Sequence, residues 1–347
     1  MSSPALSVIV LSYNRPAYLR VALESALAQS LANIEIVIAD DCSTDLAVHE
    51  LLLEYARRDP RISYERPEKN VGVVTNLLRA VARTRAPYVT ILCDDDLFEP
   101  EYAARLLAPF ESDPSLCVTF CDASVIDAEG QFDASETATF ARRWKRAGLG
   151  SSRLQPFVDA ALGARSLQPA MGAIFRKDAV PWHDFPPEAG AAWDLWLAYL
   201  AARDGGAAAY VAERLLRYRV HPNALTQRRD VGWHRGQVYI YERLFADERL
   251  AGLRTAFGAR LARYHCETGM ALLRRGERLS ARGEFRESTR IRPSGKATIG
   301  RVLCSLPGPP VGSLFAAYDA LRARLLRAWR RARAAAGKRS RNSFSLN

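Results

Sequence analysis

Three groups of acidic residues stand where carboxylates could do chemistry. Asp40 and Asp41 close the apolar run IEIVIA, Asp94, Asp95 and Asp96 close YVTILC, and the lone Asp194 lies in AAWDLW. Carboxylates at the carboxyl ends of strands face the crevice in which open α/β sheets bind their ligands. They are hard oxygen donors, and Mg2+ or Mn2+ is typically held by one or two of them together with substrate phosphates. A single Asp after a strand also serves as a turn residue or a helix cap. Three consecutive acids are not explained that way, because like charges so close repel until a cation or solvent relieves them. Two such groups facing one crevice point to a nucleotide diphosphate and its metal.

The elements that must position these acids follow from periodicity. Ser7 to Leu11, Ile34 to Ala39, Ile62 to Tyr64, Tyr88 to Cys93 and Leu116 to Cys121 read as strands. Between them, helix-period segments start at Pro16, Leu46, Val73 and about Glu101. Pro16 suits the first position of a helix. Continuous apolar strands alternating with helices predict a parallel sheet buried on both faces. From 131 to 168 only a helix near Pro156 to Leu162 is expected. A strand over Ala170 to Phe175, a helix over Trp193 to Arg203 and strands near 207–211 and 216–220 follow. The segment from Leu261 to Pro293, with Gly269, Ala281 and Phe285, resembles one tetratricopeptide-type helix pair, and one pair makes no solenoid.

Bulk properties narrow the class. At 347 residues, 48% hydrophobic and 25% charged, the chain is expected to be globular, a main domain with an appendage. No apolar run approaches the ~20 residues of a membrane-spanning helix, and the first residues do not read as a secretory leader, so the expected place is the cytoplasm. The six cysteines show no metal-ligand spacing and read as reduced thiols. No G-x-G-x-x-G follows a strand, which argues against a dinucleotide oxidoreductase. LSYNRP is not the Gly-rich basic loop that a sugar-nucleotide nucleotidyltransferase would need.

The net charge of +11 is concentrated in the last residues: 321 to 347 hold nine Lys and Arg and no acid. Leu314, Tyr318, Leu321, Leu325 and Ala328 line one face of an amphipathic helix, with arginine opposite. Three readings stand for it: peripheral contact with an anionic membrane surface, a partner helix or homo-oligomer contact, and a solvated arm that binds nucleic acid nonspecifically.

SVIVLSYNRPAYLRVALESALAQS, IEIVIADDCSTD and YVTILCDDDLFEPEY, in this order and spacing, resemble the nucleotide-binding half of glycosyltransferase family 2, whose fold is called GT-A. The resemblance covers roughly residues 5 to 225. It implies a Rossmann-like, mostly parallel α/β fold with a C-terminal helical appendage, divided as a GT-A domain over 1–230, a helical region over 231–305 and the basic tail over 306–347. The donor half would be about 1–125 and the acceptor half about 126–230.

The resemblance also implies roles. Tyr13 would lie against the donor base and Asp41 would read its uracil or thymine edge, with Asn70, Gly72 and Asn76 in the polar loop beside the nucleotide. Asp94 and Asp95 match the DXD position, the first facing ribose or metal and the second ligating Mn2+ or Mg2+ on the diphosphate. RYRVHP resembles the last core strand, which would bring His221 to the metal and Arg219 to phosphate. Gly172 would permit close approach of the acceptor. Where the family carries a Glu-Asp pair before W-D-L-W, this chain has Ala191 and Ala192. The catalytic base then falls to Asp194, with Glu188 as the fallback. The implied activity is inverting transfer of a sugar from a UDP- or dTDP-sugar to a hydroxyl of a glycan, lipid-linked glycan or small-molecule acceptor, in bacterial surface polysaccharide biosynthesis. The rival reading is a non-catalytic scaffold that lost its base.

Overall fold

The computed structural model describes residues 3–224 and 230–305. Four strands form the parallel half of one sheet: β1 (Leu6–Ser12), β2 (Ile34–Asp40), β3 (Ile62–Glu65) and β4 (Tyr88–Cys93), in the order β3-β2-β1-β4. Every residue of β1 and β2 is buried, which requires layers on both faces and explains their continuous apolar runs. Helices α1 (Pro16–Leu27), α2 (Leu46–Arg58) and α3 (Val73–Arg83) supply cover. In α1 the buried residues Leu19, Ala22, Leu23 and Ala26 recur at helical spacing. The register sets Ser12 beside Asp40 and Leu11 beside Cys93, so the turns after β1, β2 and β4, the last two acid-bearing, leave the sheet at one end.

Beyond α4 (Tyr102–Ser112) the sheet becomes mixed. Strand β6 (Leu116–Ile126) runs parallel to β9 (Ala207–Arg219), and β8 (Ala173–Arg176) lies antiparallel between β4 and β6. The short β5 (Leu97–Phe98) and β7 (Ser152–Leu154) are antiparallel to β9. The two strands expected at 207–211 and 216–220 are one strand, whose pairing with β6 shifts register around Asp122. A bulge there interrupts the alternation by which a strand is read.

Three further expectations are corrected. Residues 170–172 form a tight turn, and the strand starts only at Ala173. The helix near 156–162 is a single wide turn at Asp159–Gly163. An unexpected helix, α5, covers Ala134–Arg143, capped by Asp133, whose carboxylate accepts from the Glu136 amide at 2.9 Å. Helix α6 follows at Trp193–Ala202.

Among the described residues the first compact unit runs to Phe257 and the second starts at Gly258. In the first unit α7 (Val231–Ala246) packs on the turn Pro187–Ala192: a Cβ on Gly236 would lie 2.9 Å from the Ala189 carbonyl oxygen. The chain continues through α8 (Arg254–Arg274), α9 (Arg278–Ile291) and α10 (Gly295–Leu303). A Cβ on Gly269 would come within 2.8 Å of the buried Phe285 ring, so the helix pair closes on a glycine. No described helix is long and apolar enough to cross a membrane, and the basic amphipathic tail lies outside the described residues.

Candidate active site

The carboxyl ends of β1, β2 and β4 open on a cavity of about 860 Å3. Its carboxylates are Asp41, Asp94, Asp95, Asp96, Glu136 and Asp194. The structure thus gathers the three acidic groups of the sequence, Asp40 excepted. Asp40 is buried beneath the turn, where it accepts from the Ser43 amide and hydroxyl.

Asn14 shapes the turn after β1 in a left-handed conformation (φ 56°), which short polar side chains tolerate. Its Oδ1 accepts from the amides of Thr44 (2.7 Å) and Asp45 (3.0 Å), tying the first turn to the second. Tyr13 beside it is 45% exposed on the cavity wall. Asp41 accepts from the amides of Val71 (2.7 Å) and Gly72 (3.0 Å), and Asn70 donates to the Asp41 carbonyl. Gly72 has φ 84°, a conformation open to glycine, and sits ahead of α3. Burial and Asp40 push the Asp41 carboxyl up, and the two amides oppose them. Asn76 donates to the Ala39 carbonyl at 2.7 Å, which pins α3 to β2.

The acid triplet is densely bonded. Asp94 accepts from the Tyr13 amide (3.0 Å) and Arg15 Nη1 (2.8 Å). The same Nη1 lies 2.9 Å from Asp95 Oδ2, and His221 Nε2 is 3.0 Å from that oxygen. Asp96 Oδ1 accepts from the Arg219 amide, while Oδ2 is buried without a hydrogen-bond partner among the described residues. Burial and Asp95 push Asp94 up to about 7, against Arg15, and push Asp96 well above the carboxylate range. Cys93 Sγ and oxygens of Asp95 and Asp96 lie within 4.8 Å of one another. Burial and the carboxylates raise this thiol, which leaves the oxygens as the donors. A buried carboxylate oxygen without a partner, among acids that resist ionising, fits one hard divalent cation.

Arg219 lines the cavity, is only 5% exposed, and its guanidinium donates to the carbonyls of Asp95 (2.9 Å), Asp127 and Ala128 (3.1 Å each). Those bonds fix the acid turn. Gly172 is buried against Cys121 and Leu216 and does not line the cavity, whereas Met171 does.

Asp194, which also lines the cavity, lies in the first turn of α6. Its Oδ2 accepts from Gln168 Nε2 at 3.2 Å and its Oδ1 from the Leu195 amide at 2.9 Å. Burial raises its carboxyl, opposed by Arg165. Gln168 is held in turn by Arg146, a fully buried arginine that donates to the carbonyls of Ser166 (2.8 Å) and Gln168 (2.9 Å). Sequence reasoning singled out neither of them, nor Arg15. Glu188, the fallback base, is exposed and outside the cavity lining. Trp144, Trp193 and Trp233 line the cavity, and the guanidinium groups of Arg143 and Arg165 lie 4.9 and 5.1 Å from the Trp144 ring.

A mixed sheet with a parallel donor half, flanked by helices, and an acid turn at the end of its fourth strand define a glycosyltransferase of the GT-A fold. Residues 7–159 match the model of glycosyl transferase family 2, and the chain carries a domain of that family. It is 25% identical over 247 residues to EpsH of Bacillus subtilis, a protein named as a glycosyltransferase, covering 70% of this chain and 68% of EpsH. Among solved structures, S. aureus TarS 1-349 in complex with UDP-GlcNAc superposes with a TM-score of 0.60 at 15% identity, over 86% of this chain and 88% of that one. The mannosyltransferase PcManGT of Pyrobaculum calidifontis, in complex with GDP-Man and Mn2+, gives 0.56 at 17% identity, over 95% and 84%.

Proposed function

We propose that this glycosyltransferase moves one sugar from a nucleotide-diphospho-sugar to a hydroxyl of a glycan, lipid-linked glycan or small-molecule acceptor, in the assembly of a bacterial polysaccharide. The observation that carries it is one cavity lined by both the acid triplet and Asp194. TarS with UDP-GlcNAc and PcManGT with GDP-Man and Mn2+ support a sugar nucleotide as the donor.

In this reading Tyr13 presents its ring to the base. Each Asp41 oxygen keeps a lone pair beside its loop amide, so the carboxylate can also accept from a base N–H. Asn70, Gly72 and Asn76 hold that loop in shape. Asp94 and Asp95 would hold Mn2+ or Mg2+, with His221 orienting Asp95. A divalent ion there supplies charge compensation on the departing diphosphate. Asp194 takes the acceptor's hydroxyl proton as that oxygen bonds to the anomeric carbon and the bond to the diphosphate oxygen breaks. Its raised pKa brings it closer to the working pH, which suits a general base. The tryptophans near Asp194 offer flat apolar faces to a sugar ring.

The test is thermal stability with UDP, dTDP, GDP, CDP and ADP, each with and without Mn2+, for the wild type and Asp95→Ala. A ligand at 100 times its Kd stabilises the fold by about 2.7 kcal/mol, a shift of several degrees. The expected result is one diphosphate that stabilises only with metal and only when Asp95 is present. No stabilisation by any of them would sink the donor-site reading.

A further inference from the structure

A cation already sits on the acid triplet, and it belongs to the protein. Arg15 Nη1 lies 2.8 Å from Asp94 Oδ1 and 2.9 Å from Asp95 Oδ2, between the two oxygens that a divalent ion would draw together. Nη2 anchors the same guanidinium on the Asn223 carbonyl at 3.1 Å. The planar fork is therefore held at two ends, which is how guanidinium groups gain geometric specificity. A divalent ion and a guanidinium cannot share these oxygens at such distances without strong mutual repulsion.

The arginine is also built to leave. It occupies the position before Pro16, at the start of α1, and makes no capping bond there with its side chain. Its side chain keeps 23% of its surface exposed in the cavity, so the head can swing while the backbone stays. The proline fixes the helix start behind it. A guanidinium lifted off the carboxylates faces the space in which the diphosphate would lie, and phosphate is its best bidentate partner.

We propose that Arg15 is a resident counter-cation of the metal site: it occupies Asp94 and Asp95 in the free protein and passes to the diphosphate when nucleotide and metal arrive together. The inference rests on the donor-site reading above. It makes metal and nucleotide binding mutually dependent, because each removes an obstacle to the other, and linkage requires the effect to be reciprocal. Metal alone binds weakly, since it must first displace a paired guanidinium.

Titration calorimetry with Mn2+ alone, and with Mn2+ in the presence of UDP or GDP, tests this on the full chain. Arg15→Gln removes the charge and keeps a polar head on a shorter stem. It should bind Mn2+ alone at least about tenfold tighter than the wild type, some 1.4 kcal/mol. The factor by which nucleotide improves Mn2+ affinity should shrink by a similar amount. Asp95→Asn should lose Mn2+ binding, and circular dichroism checks each fold. Should Arg15→Gln fold poorly, Arg15→Ala carries the same expectation. Variants that bind Mn2+ no tighter than the wild type overturn the role of Arg15 and leave the donor site standing. Absence of Mn2+ binding in every protein, even with nucleotide, overturns both.

Discussion

The two ends of the parallel strands treat buried carboxylates in opposite ways. At the amino end, Glu35 near the start of β2 is 5% exposed and accepts from Ser7 Oγ (2.6 Å), the Arg85 amide (2.6 Å) and Arg85 Nε (2.7 Å). Burial alone would raise its pKa, yet those donors hold the carboxyl below its ordinary value. At the carboxyl end, Asp94 and Asp96 are buried more deeply and are pushed up. The donors outweigh burial at Glu35, whereas deeper burial and the neighbouring Asp95 outweigh the donors that Asp94 and Asp96 have. A finished polar network stabilises the fold, whereas an unfinished one, with Asp96 Oδ2 unpartnered, stands ready for a ligand that completes it.

That contrast would break first at Asp95. Asp95→Asn should lower kcat/KM by about a thousandfold or more, since a metal's charge compensation is worth several kcal/mol and each 1.36 kcal/mol is tenfold in rate. Its melting temperature should stay level or rise, because one of three crowded acids loses its charge. Near-normal transfer by this variant would remove the metal from the triplet. Asp194→Asn comes next, with a loss of about a hundred- to ten-thousandfold, the usual worth of a general base. Because burial raises this carboxyl, the acidic limb of the wild-type pH profile should lie above pH 3.8, the ordinary Asp value, and vanish in the variant. Equal rates would take Asp194 out of the mechanism.

How much of this was readable in the sequence follows the same division. The donor half was legible because strands buried on both faces write continuous apolar runs, and an acid where a run stops marks the crevice. Arg15 was not, because its carboxylate partners lie 79 and 80 residues away and nothing in SYNRP announces them. An arginine directly before a first-turn proline, at the end of a buried strand, was the available signal. Helix α5 had a readable start in Asp133 and Glu136, spaced as in a capping pair, but lacks a strongly apolar face. Arg146 and Gln168 act through an irregular loop, where no period exists to be read. Arg219 was expected near phosphate because RYRVHP resembles the family's last core strand, and only the fold reveals the carbonyls that hold it.

Smaller effects test the amino end of the strands. Glu35→Ala strips partners from the buried Ser7 hydroxyl and the Arg85 amide, and leaving such groups unsatisfied costs about 2–3 kcal/mol. The melting temperature should fall by roughly 5 °C or more, with transfer per folded molecule unchanged. A depressed carboxyl stabilises the fold above its unfolded pKa, and that benefit is lost as pH falls. The gap between wild type and Glu35→Ala should therefore be full above about pH 4.5 and narrow below it, as denaturant midpoints would reveal. A gap that is constant with pH would mean that packing, not charge, is what Glu35 contributes.

Asp96→Asn is the smallest change and the sharpest probe of the contrast, because its sign should be reversed. The native fold holds the Asp96 proton more tightly than the unfolded chain does, so stability drains away as pH rises above the ordinary Asp value of 3.8. Asparagine keeps Oδ1 available to the Arg219 amide and carries no charge to desolvate. The variant should gain about 1 kcal/mol near neutral pH, within the range of substitutions that relieve strain at functional sites. The gain should fade toward pH 4, where the unfolded carboxyl also begins to hold its proton, as the folded one already does. Denaturant midpoints at pH 4 and pH 7.5 decide it: a variant less stable than the wild type at the higher pH would show that the ionised carboxylate is already satisfied, and the two ends of the sheet would then differ in degree only.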